Sequence, residues 1–227
     1  MVALMVILTM AGFIVIDGFV QYAQAQSQAD VAVEADERVP IAPVDLNVPD
    51  GIFLSPRHTW LRILENGRVR IGLDGLVAGL VGRISAVVAP QPGQAIQKGQ
   101  PLFAIRSGDR SLELASPLTG TVFSVNDQTV DPRDVFGDAP HTKWVCEVDV
   151  PDVWSEVKSM RLGADAAAWL RSEAEKMSEF VMLRMTGNTG VGSVLADGGV
   201  PTSGALESLD DDGWAEFQIR FLGSTKA

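Results

Sequence analysis

The chain has 227 residues, a formal net charge of −11 and 46% hydrophobic residues. This hydrophobic share can supply a folded core, so the composition excludes a wholly disordered protein. The negative charge excludes non-specific nucleic-acid binding, which depends on Lys and Arg neutralising phosphates, and we expect no nucleic-acid partner. The single cysteine, Cys146, excludes an internal disulfide, and with only His58 and His141 beside it no dedicated zinc site is expected.

The N-terminal segment predicts a membrane anchor. Residues 1–20 read MVALMVILTMAGFIVIDGFV, and about 20 apolar residues rising 1.5 Å each cover the roughly 30 Å hydrocarbon core. Asp17 lies near the distal end, where it can reach the interface. A cleaved signal peptide is the alternative, because residues 23–25 (AQA) have the cleavage form, although no Lys or Arg precedes Arg38. The few basic residues that follow, Arg38 and then Arg57, favour a cytoplasmic C-terminal domain.

Residues 21–50 predict a linker, since they are rich in Ala, Gln, acidic residues and Pro and show no sustained periodicity. Residues 52–150 contain short Val/Ile/Leu-rich runs separated by Gly, Pro, Asn and Asp, which is typical of compact β structure. The predicted strands are 60–64, 68–72, 82–88, 101–105, 112–115, 120–125 and 144–148, with a short helix at 73–80.

Helices are predicted in the C-terminal part of the chain. Helix-forming runs extend over residues 153–181, with Ala166, Trp169, Leu170, Met177 and Phe180 able to share one face. A last element at 208–222 begins at three aspartates, which favour a helix N-terminus, and its aromatic residues are expected to pack onto the body. The predicted organisation is a transmembrane helix at 1–20, a linker at 21–50, a β domain with its helix at 51–181, and a C-terminal extension at 182–227.

Five segments resemble, in the same order, a known family. They are residues 57–62 (RHTWLR), 69–73 (VRIGL), 92–102 (PGQAIQKGQPL), 116–122 (SPLTGTV) and 144–148 (WVCEV). This order is similar to that of the glycine-cleavage H-proteins, which carry lipoate on a lysine. The resemblance implies a mainly β fold, a barrel-sandwich hybrid of two small sheets, followed by C-terminal helices. It also implies that a tight hairpin, here residues 106–111 (RSGDRS), presents the modified residue at its tip.

The residue at that tip departs from the family pattern. Counting back from Ser116, the position of the lipoyl-lysine falls on Asp109, and the nearest lysines, Lys98 and Lys143, lie outside the hairpin. A carboxylate cannot form the amide that lipoylation requires, and the guanidinium groups of Arg106 and Arg110 do not replace a lysine amine. We therefore expect no cofactor. The hairpin tip is either only a good turn or a charged partner-docking surface made of Arg106, Asp109 and Arg110.

No catalytic or metal site is predicted. Nucleophile-elbow, phosphate-loop and metalloprotease motifs are absent from the sequence. Cys146 lies in an apolar strand pattern and is expected to be a buried, inert thiol, and His58 a hydrogen-bonded packing residue. His141 lies in a polar loop, and the acidic runs at 34–37 and 210–212 are expected to be solvated charge.

Three functions are compatible with the sequence. The first is a non-enzymatic, membrane-tethered scaffold or adaptor that has lost lipoate attachment and binds an unidentified protein partner. The second is a lipoyl-carrier protein of a glycine-cleavage-type system. The third, a periplasmic adaptor like those of efflux pumps, is less consistent, because the long helical hairpin that splits the lipoyl halves of such adaptors has no counterpart between Gln100 and Thr121.

Overall fold

The computed structural model describes residues 46–126, 141, 143–186 and 202–223. All of them belong to one compact unit, Ile41–Ala227. The predicted transmembrane helix at 1–20 lies outside the described residues, as does the predicted linker up to residue 45. Among the helices in the described ranges, none combines the length and the apolar character that a membrane span requires.

Antiparallel strands in two sheets make up most of the described unit. The strands are β1 (Phe53–Leu54), β2 (Thr59–Ile63), β3 (Val69–Leu73), β4 (Ala86–Val88), β5 (Ala95–Ile96), β6 (Pro101–Ser107), β7 (Arg110–Ala115), β8 (Gly120–Val125), β9 (Trp144–Asp149) and β10 (Arg161–Leu162). Within the described residues one sheet has seven strands in the order β10-β1-β2-β3-β9-β8-β5, and the other has three in the order β4-β6-β7.

The helices are α1 (Gly75–Val81), α2 (Val153–Val157), α3 (Gly163–Thr186) and α4 (Asp211–Phe217), with a 3₁₀ turn at Ala205–Ser208 and a π turn at Gln218–Leu222. The prediction of a mainly β fold with C-terminal helices is confirmed. The finer description as a barrel-sandwich hybrid stays a prediction.

Local backbone chemistry explains where the predicted bounds were wrong. The predicted helix at 73–80 begins only at Gly75, because the carboxylate of Asp74 accepts a hydrogen bond from the Val77 N–H and caps it. The predicted strand at 82–88 begins at Ala86, since Gly82, with φ of 73°, ends that helix. The helical run predicted at 153–181 is interrupted by β10, and its last helix, α3, ends at Thr186.

One hydrophobic core joins both sheets to the helices. The buried residues of α3 recur every three to four positions, as an amphipathic helix requires, and include Ala166, Leu170, Ala174, Met177 and Val181.

Close packing requires a glycine on β3, because a Cβ at Gly72 would lie 2.5 Å from the Trp60 ring. The register between β2 and β3, in which Trp60 faces Gly72, therefore depends on this residue pair.

Candidate functional site at the β6–β7 hairpin

The β6–β7 hairpin ends in a two-residue loop. Ser107 pairs with Arg110, which leaves Gly108 and Asp109 at the tip. Gly108 has φ of +59° and Asp109 does not have a positive φ, the pattern of a type II′ turn with glycine at its first central position. The prediction that residues 106–111 form a tight hairpin tip is thus confirmed. The sequence between Lys98 and Lys143 contains no lysine, so the hairpin offers no primary amine.

Arg106 and Asp109 are both exposed on this hairpin. In the part of the chain that the structure describes, neither side chain has a hydrogen-bond or ion-pair partner. The backbone carbonyl of Arg106 accepts from the Ser85 N–H at 2.8 Å and from the Ser85 hydroxyl at 3.2 Å. Their charges are therefore available to solvent or to a ligand.

Arg110, the third residue of the predicted docking surface, is already engaged. Its guanidinium donates to the Leu209 carbonyl at 2.6 Å and to the Asp211 carboxylate at 3.2 Å. It also lies over the Trp214 ring, 5.5 Å from the ring centroid. All three partners belong to residues 202–223, which we call the docked extension. The structure therefore leaves the side chains of Arg106 and Asp109 exposed and places Arg110 inside an intramolecular contact.

The docked extension covers the outer edge of β7, the strand at one side of the three-stranded sheet. The Trp214 indole N–H and the Gln218 side-chain amide each donate to the Ser111 carbonyl at 3.1 Å. The Gln218 side-chain oxygen accepts from the Glu113 N–H at 3.0 Å. The side chains of Trp214 and Gln218 thus form hydrogen bonds with the backbone carbonyl of Ser111 and the backbone N–H of Glu113. On an uncovered edge strand such groups would be free to pair with another chain. The aromatic residues of the last element were predicted to pack onto the body, and the structure buries Trp214, Phe217 and Phe221. The aliphatic Ile219 of the same element is 48% exposed.

A cleft of about 450 Å³ opens between the hairpin tip and the docked extension. The hairpin contributes its tip and the extension contributes a carboxylate and an indole ring; the lining residues are Arg83, Ser107, Gly108, Asp109, Arg110, Glu207 and Trp214. The Glu207 carboxylate accepts a hydrogen bond from the Arg83 N–H at 3.1 Å, which ties the extension to the loop after α1. The amino-acid sequence did not predict Glu207, Trp214 or Arg83 as site residues, because no local motif links them to the hairpin.

Comparison with known proteins gives the family. The family model described as glycine cleavage H-protein matches residues 53–173, slightly more than half of the chain. The chain belongs to the glycine cleavage H-protein family. The hairpin lies within the matched residues, and the docked extension lies outside them.

Relatives match over most of their length. The probable glycine cleavage system H protein of Pyrococcus furiosus is 23% identical over 128 residues, which cover 56% of this chain and 96% of that protein. The glycine cleavage system H protein of Methylobacillus flagellatus is 31% identical over 100 residues, covering 44% of this chain and 81% of that protein. A solved glycine cleavage system H protein from Mycobacterium marinum is 20% identical, with a TM-score of 0.47, covering 54% of this chain and 98% of that one.

Lys98, the lysine nearest to the hairpin in the sequence, has other contacts. Its ammonium donates to the Glu156 carboxylate at 3.2 Å and to the Ser159 hydroxyl at 3.4 Å. Its backbone N–H donates to the Thr119 hydroxyl at 3.2 Å. These contacts hold Lys98 against the turn before β8 and against α2, away from the tip of the β6–β7 hairpin.

His58 is completely buried, and the prediction of a hydrogen-bonded packing residue agrees with its contacts. Its Nδ1 lies 2.7 Å from the Asp74 carboxylate, and its ring stacks on Trp169 with 5.0 Å between centroids. Its Nε2 lies 3.9 Å from the Glu173 carboxylate, too far for a hydrogen bond. Asp74 therefore has two roles: its carboxylate caps α1 and is hydrogen-bonded to the His58 ring. The sequence did not predict either role. Together these contacts join β2, α1 and α3.

The remaining candidates for chemistry fit structural roles. Burial raises the pKa of the Cys146 thiol to about 12, so the thiol is neutral and inert at physiological pH. His141 donates from Nε2 to the Asn47 carbonyl at 2.8 Å. Within the described ranges no group of three or more His, Cys, Asp or Glu side chains could hold a metal ion. The acidic run at 34–37 lies outside the described residues.

Proposed function

We propose that this member of the H-protein family is a non-enzymatic scaffold or adaptor that carries no lipoate. One observation carries the proposal: the tip of the β6–β7 hairpin is Gly108-Asp109, and no lysine lies between Lys98 and Lys143. Lipoate attachment forms an amide with a primary amine, and a carboxylate cannot provide one. The fold is retained while the residue that would carry the family's function is replaced.

The docked extension supports the same function. It binds Ser111, Glu113 and Arg110 on the strand that follows the tip. A binding module benefits from a rigid surface, because less conformational entropy is lost when a partner binds. The side-chain contacts of the docked extension along the outer edge of β7 supply that rigidity.

The proposed scaffold is tethered to a membrane by residues 1–20, with residues 21–50 as a spacer and the folded domain in the cytoplasm. The composition of those segments supports the tether. Its partner is a protein, since a net charge of −11 disfavours nucleic acid. No catalytic residue, cofactor or metal is part of the proposal.

The second candidate is a lipoyl-carrier protein of a glycine-cleavage-type system. It is favoured by the names of relatives such as the Methylobacillus flagellatus protein. It requires a covalent lipoyl group on a lysine of this chain, and Lys98 is the lysine closest to the hairpin.

Intact-mass measurement of the natively expressed protein separates the two. The full chain is extracted in mild detergent, purified by affinity and weighed, and co-purifying proteins are quantified against an extract from cells expressing the untagged chain. The scaffold function predicts the unmodified polypeptide mass and a stoichiometric partner. A lipoyl increment on any lysine would establish the carrier function instead, and an unmodified chain that purifies without a partner would contradict the scaffold.

A further inference from the structure

We propose that α2 and β10 face the membrane and that the indole ring of Trp154 inserts into the interface of a phosphatidylcholine bilayer. The inference rests on the membrane tether of the proposed function and adds which face of the folded domain lies on the bilayer. It also gives a role to an exposed aromatic side chain that the hairpin and the docked extension do not use.

Trp154 is the most exposed tryptophan of the chain, with a relative exposure of 66%. The chain has five tryptophans. The other four are buried or partly buried: Trp60, Trp144, Trp169 and Trp214. An indole has a large apolar ring and one polar N–H, so it suits the boundary between lipid headgroups and acyl chains. The described residues leave this ring uncovered, and a lipid interface fits its chemistry.

An apolar side chain and a long cation accompany the indole ring. Leu162 on β10 is 46% exposed, and a tight turn from Val157 to Met160, with a backbone hydrogen bond of 3.0 Å, joins α2 to this strand. Lys158 is exposed four positions after Trp154, on the same side of the helical turn. Its apolar stem can lie along the interface while its ammonium binds a lipid phosphate. Such a mixture of side chains anchors proteins at bilayer interfaces.

Local charge neither drives nor opposes this contact. Lys98 is paired with Glu156, with 3.2 Å between the ammonium and the carboxylate. The exposed Lys158 is offset by the exposed Asp152. The apolar side chains therefore carry the contact, and a neutral lipid is sufficient.

The proposed tether reaches the fold beside the same strand. The described structure begins at Leu46, and residues 46–52 span at most about 25 Å before β1 begins. β1 pairs directly with β10, with Phe53 opposite Leu162. A flexible spacer of the length of residues 21–45 has an end-to-end distance of roughly 25–30 Å. It keeps the domain at a local concentration on the order of millimolar at the bilayer, where a weak contact is sufficient.

Leu183 provides a matched position at the other end of α3. It is 66% exposed, as Trp154 is. Because α3 begins at Gly163, directly after β10, a rise of 1.5 Å per residue places Leu183 about 30 Å along the helix from that strand. The two side chains are therefore equally accessible and lie in different parts of the surface.

Quenching of tryptophan fluorescence by brominated lipid tests the contact. The full-length protein is placed in phosphatidylcholine vesicles that are brominated on the acyl chains, and bromine quenches only an indole that it touches. Residues 1–20 contain no tryptophan, so the tether itself gives no signal. Since Trp154 is one of five tryptophans, we expect a loss of about a fifth of the emission relative to unbrominated vesicles. The control, Trp154→Phe combined with Leu183→Trp, is expected to keep its emission, and both positions are exposed, so the variant is expected to fold.

Equal quenching in the parent and the control, or no quenching in the parent, would overturn the contact. Protection of Trp154 from aqueous iodide by a co-purified protein, without quenching by lipid, would also overturn it and would assign the residue to that protein. Flotation of the vesicles separates the contact from the tether. A chain that floats without quenching removes only this inference, a chain that does not float removes the tether as well, and a lipoyl mass increment would remove the scaffold function.

Discussion

The guanidinium of Arg110 lies over the indole ring of Trp214, with 5.5 Å between the guanidinium carbon and the ring centroid. The same guanidinium donates to the Leu209 carbonyl, 99 residues away in the sequence. One side chain of the hairpin thus makes a stacking contact and a hydrogen bond to the docked extension. Arg110, next to the tip, therefore stabilises the contact between the hairpin and the docked extension. The other two charged side chains of the hairpin, Arg106 and Asp109, are exposed.

Replacement of Arg110 by Ala is expected to lower the free energy of unfolding by about 1–2 kcal/mol, from the lost hydrogen bond and cation–π contact. The ion pair with Asp211 adds little, because that carboxylate is 92% exposed. Urea denaturation followed by tryptophan fluorescence measures the change. Arg106→Ala, which removes the same charge from the same hairpin, is the control and is expected to change stability by less than about 0.5 kcal/mol. Equal losses in the two variants would contradict the docking role of Arg110.

Replacement of Gln218 by Ala is expected to speed hydrogen exchange at the Glu113 amide by about tenfold, since that N–H loses its acceptor. Native-state exchange monitored by NMR gives the rate. The amide of Leu112, a residue that faces Ile105 of β6, is the internal control and is expected to keep its rate. A uniform acceleration along β7 would show instead that the whole extension has detached.

Asp74→Ala is expected to lower the free energy of unfolding by about 3 kcal/mol, because it removes a helix cap and leaves the buried His58 ring without its partner. Asp152 is the matched control: it caps α2 through the Ser155 N–H at 3.2 Å but is exposed. Asp152→Ala is expected to cost about 1 kcal/mol or less. Similar losses from both variants would mean that the His58 contact contributes nothing.

Cys146 gives a pH dependence with a definite sign. Burial raises its pKa from an ordinary value of 9.0 to about 12, so the unfolded chain releases the thiol proton at lower pH than the folded one. The contribution to stability is present below about pH 9 and is lost between about pH 9 and 12. Cys146→Ala is expected to remove this part of the alkaline loss of stability. An alkylating reagent at pH 8.5 is expected to react only after unfolding, and fast labelling of the native chain would contradict the burial.

Asp109→Lys tests the correspondence with the family's lysine position. Co-expressed with a lipoate ligase, this variant is expected to gain a lipoyl increment in its intact mass, whereas the parent chain is not. Arg106→Lys places an amine in the same hairpin away from the tip and is the control, expected to stay unmodified. Because the tip is exposed, an unmodified Asp109→Lys chain would contradict the correspondence of Asp109 with the family's lysine position.

The sequence predicted the features that depend on neighbours along the chain. The tight turn at Gly108-Asp109, the strands on either side of it and the helix start near Asp210 follow from turn chemistry, residue propensity and capping, which act within a few residues. The absence of lysine between Lys98 and Lys143 is likewise a property of the sequence alone. Short strands such as β5 and β10 were missed, because two residues carry no periodicity and their pairing depends on distant partners.

The tertiary structure alone decided which of the charged residues are free. The sequence shows three charged residues in the hairpin and does not distinguish their surroundings. Only one of them, Arg110, contacts the docked extension, at Leu209, Asp211 and Trp214. The sequence likewise did not predict the His58–Asp74 contact or the cleft that Glu207 lines. Such contacts join segments far apart in the chain, and whether they form depends on how the hydrophobic core places those segments and not on any local pattern of residues.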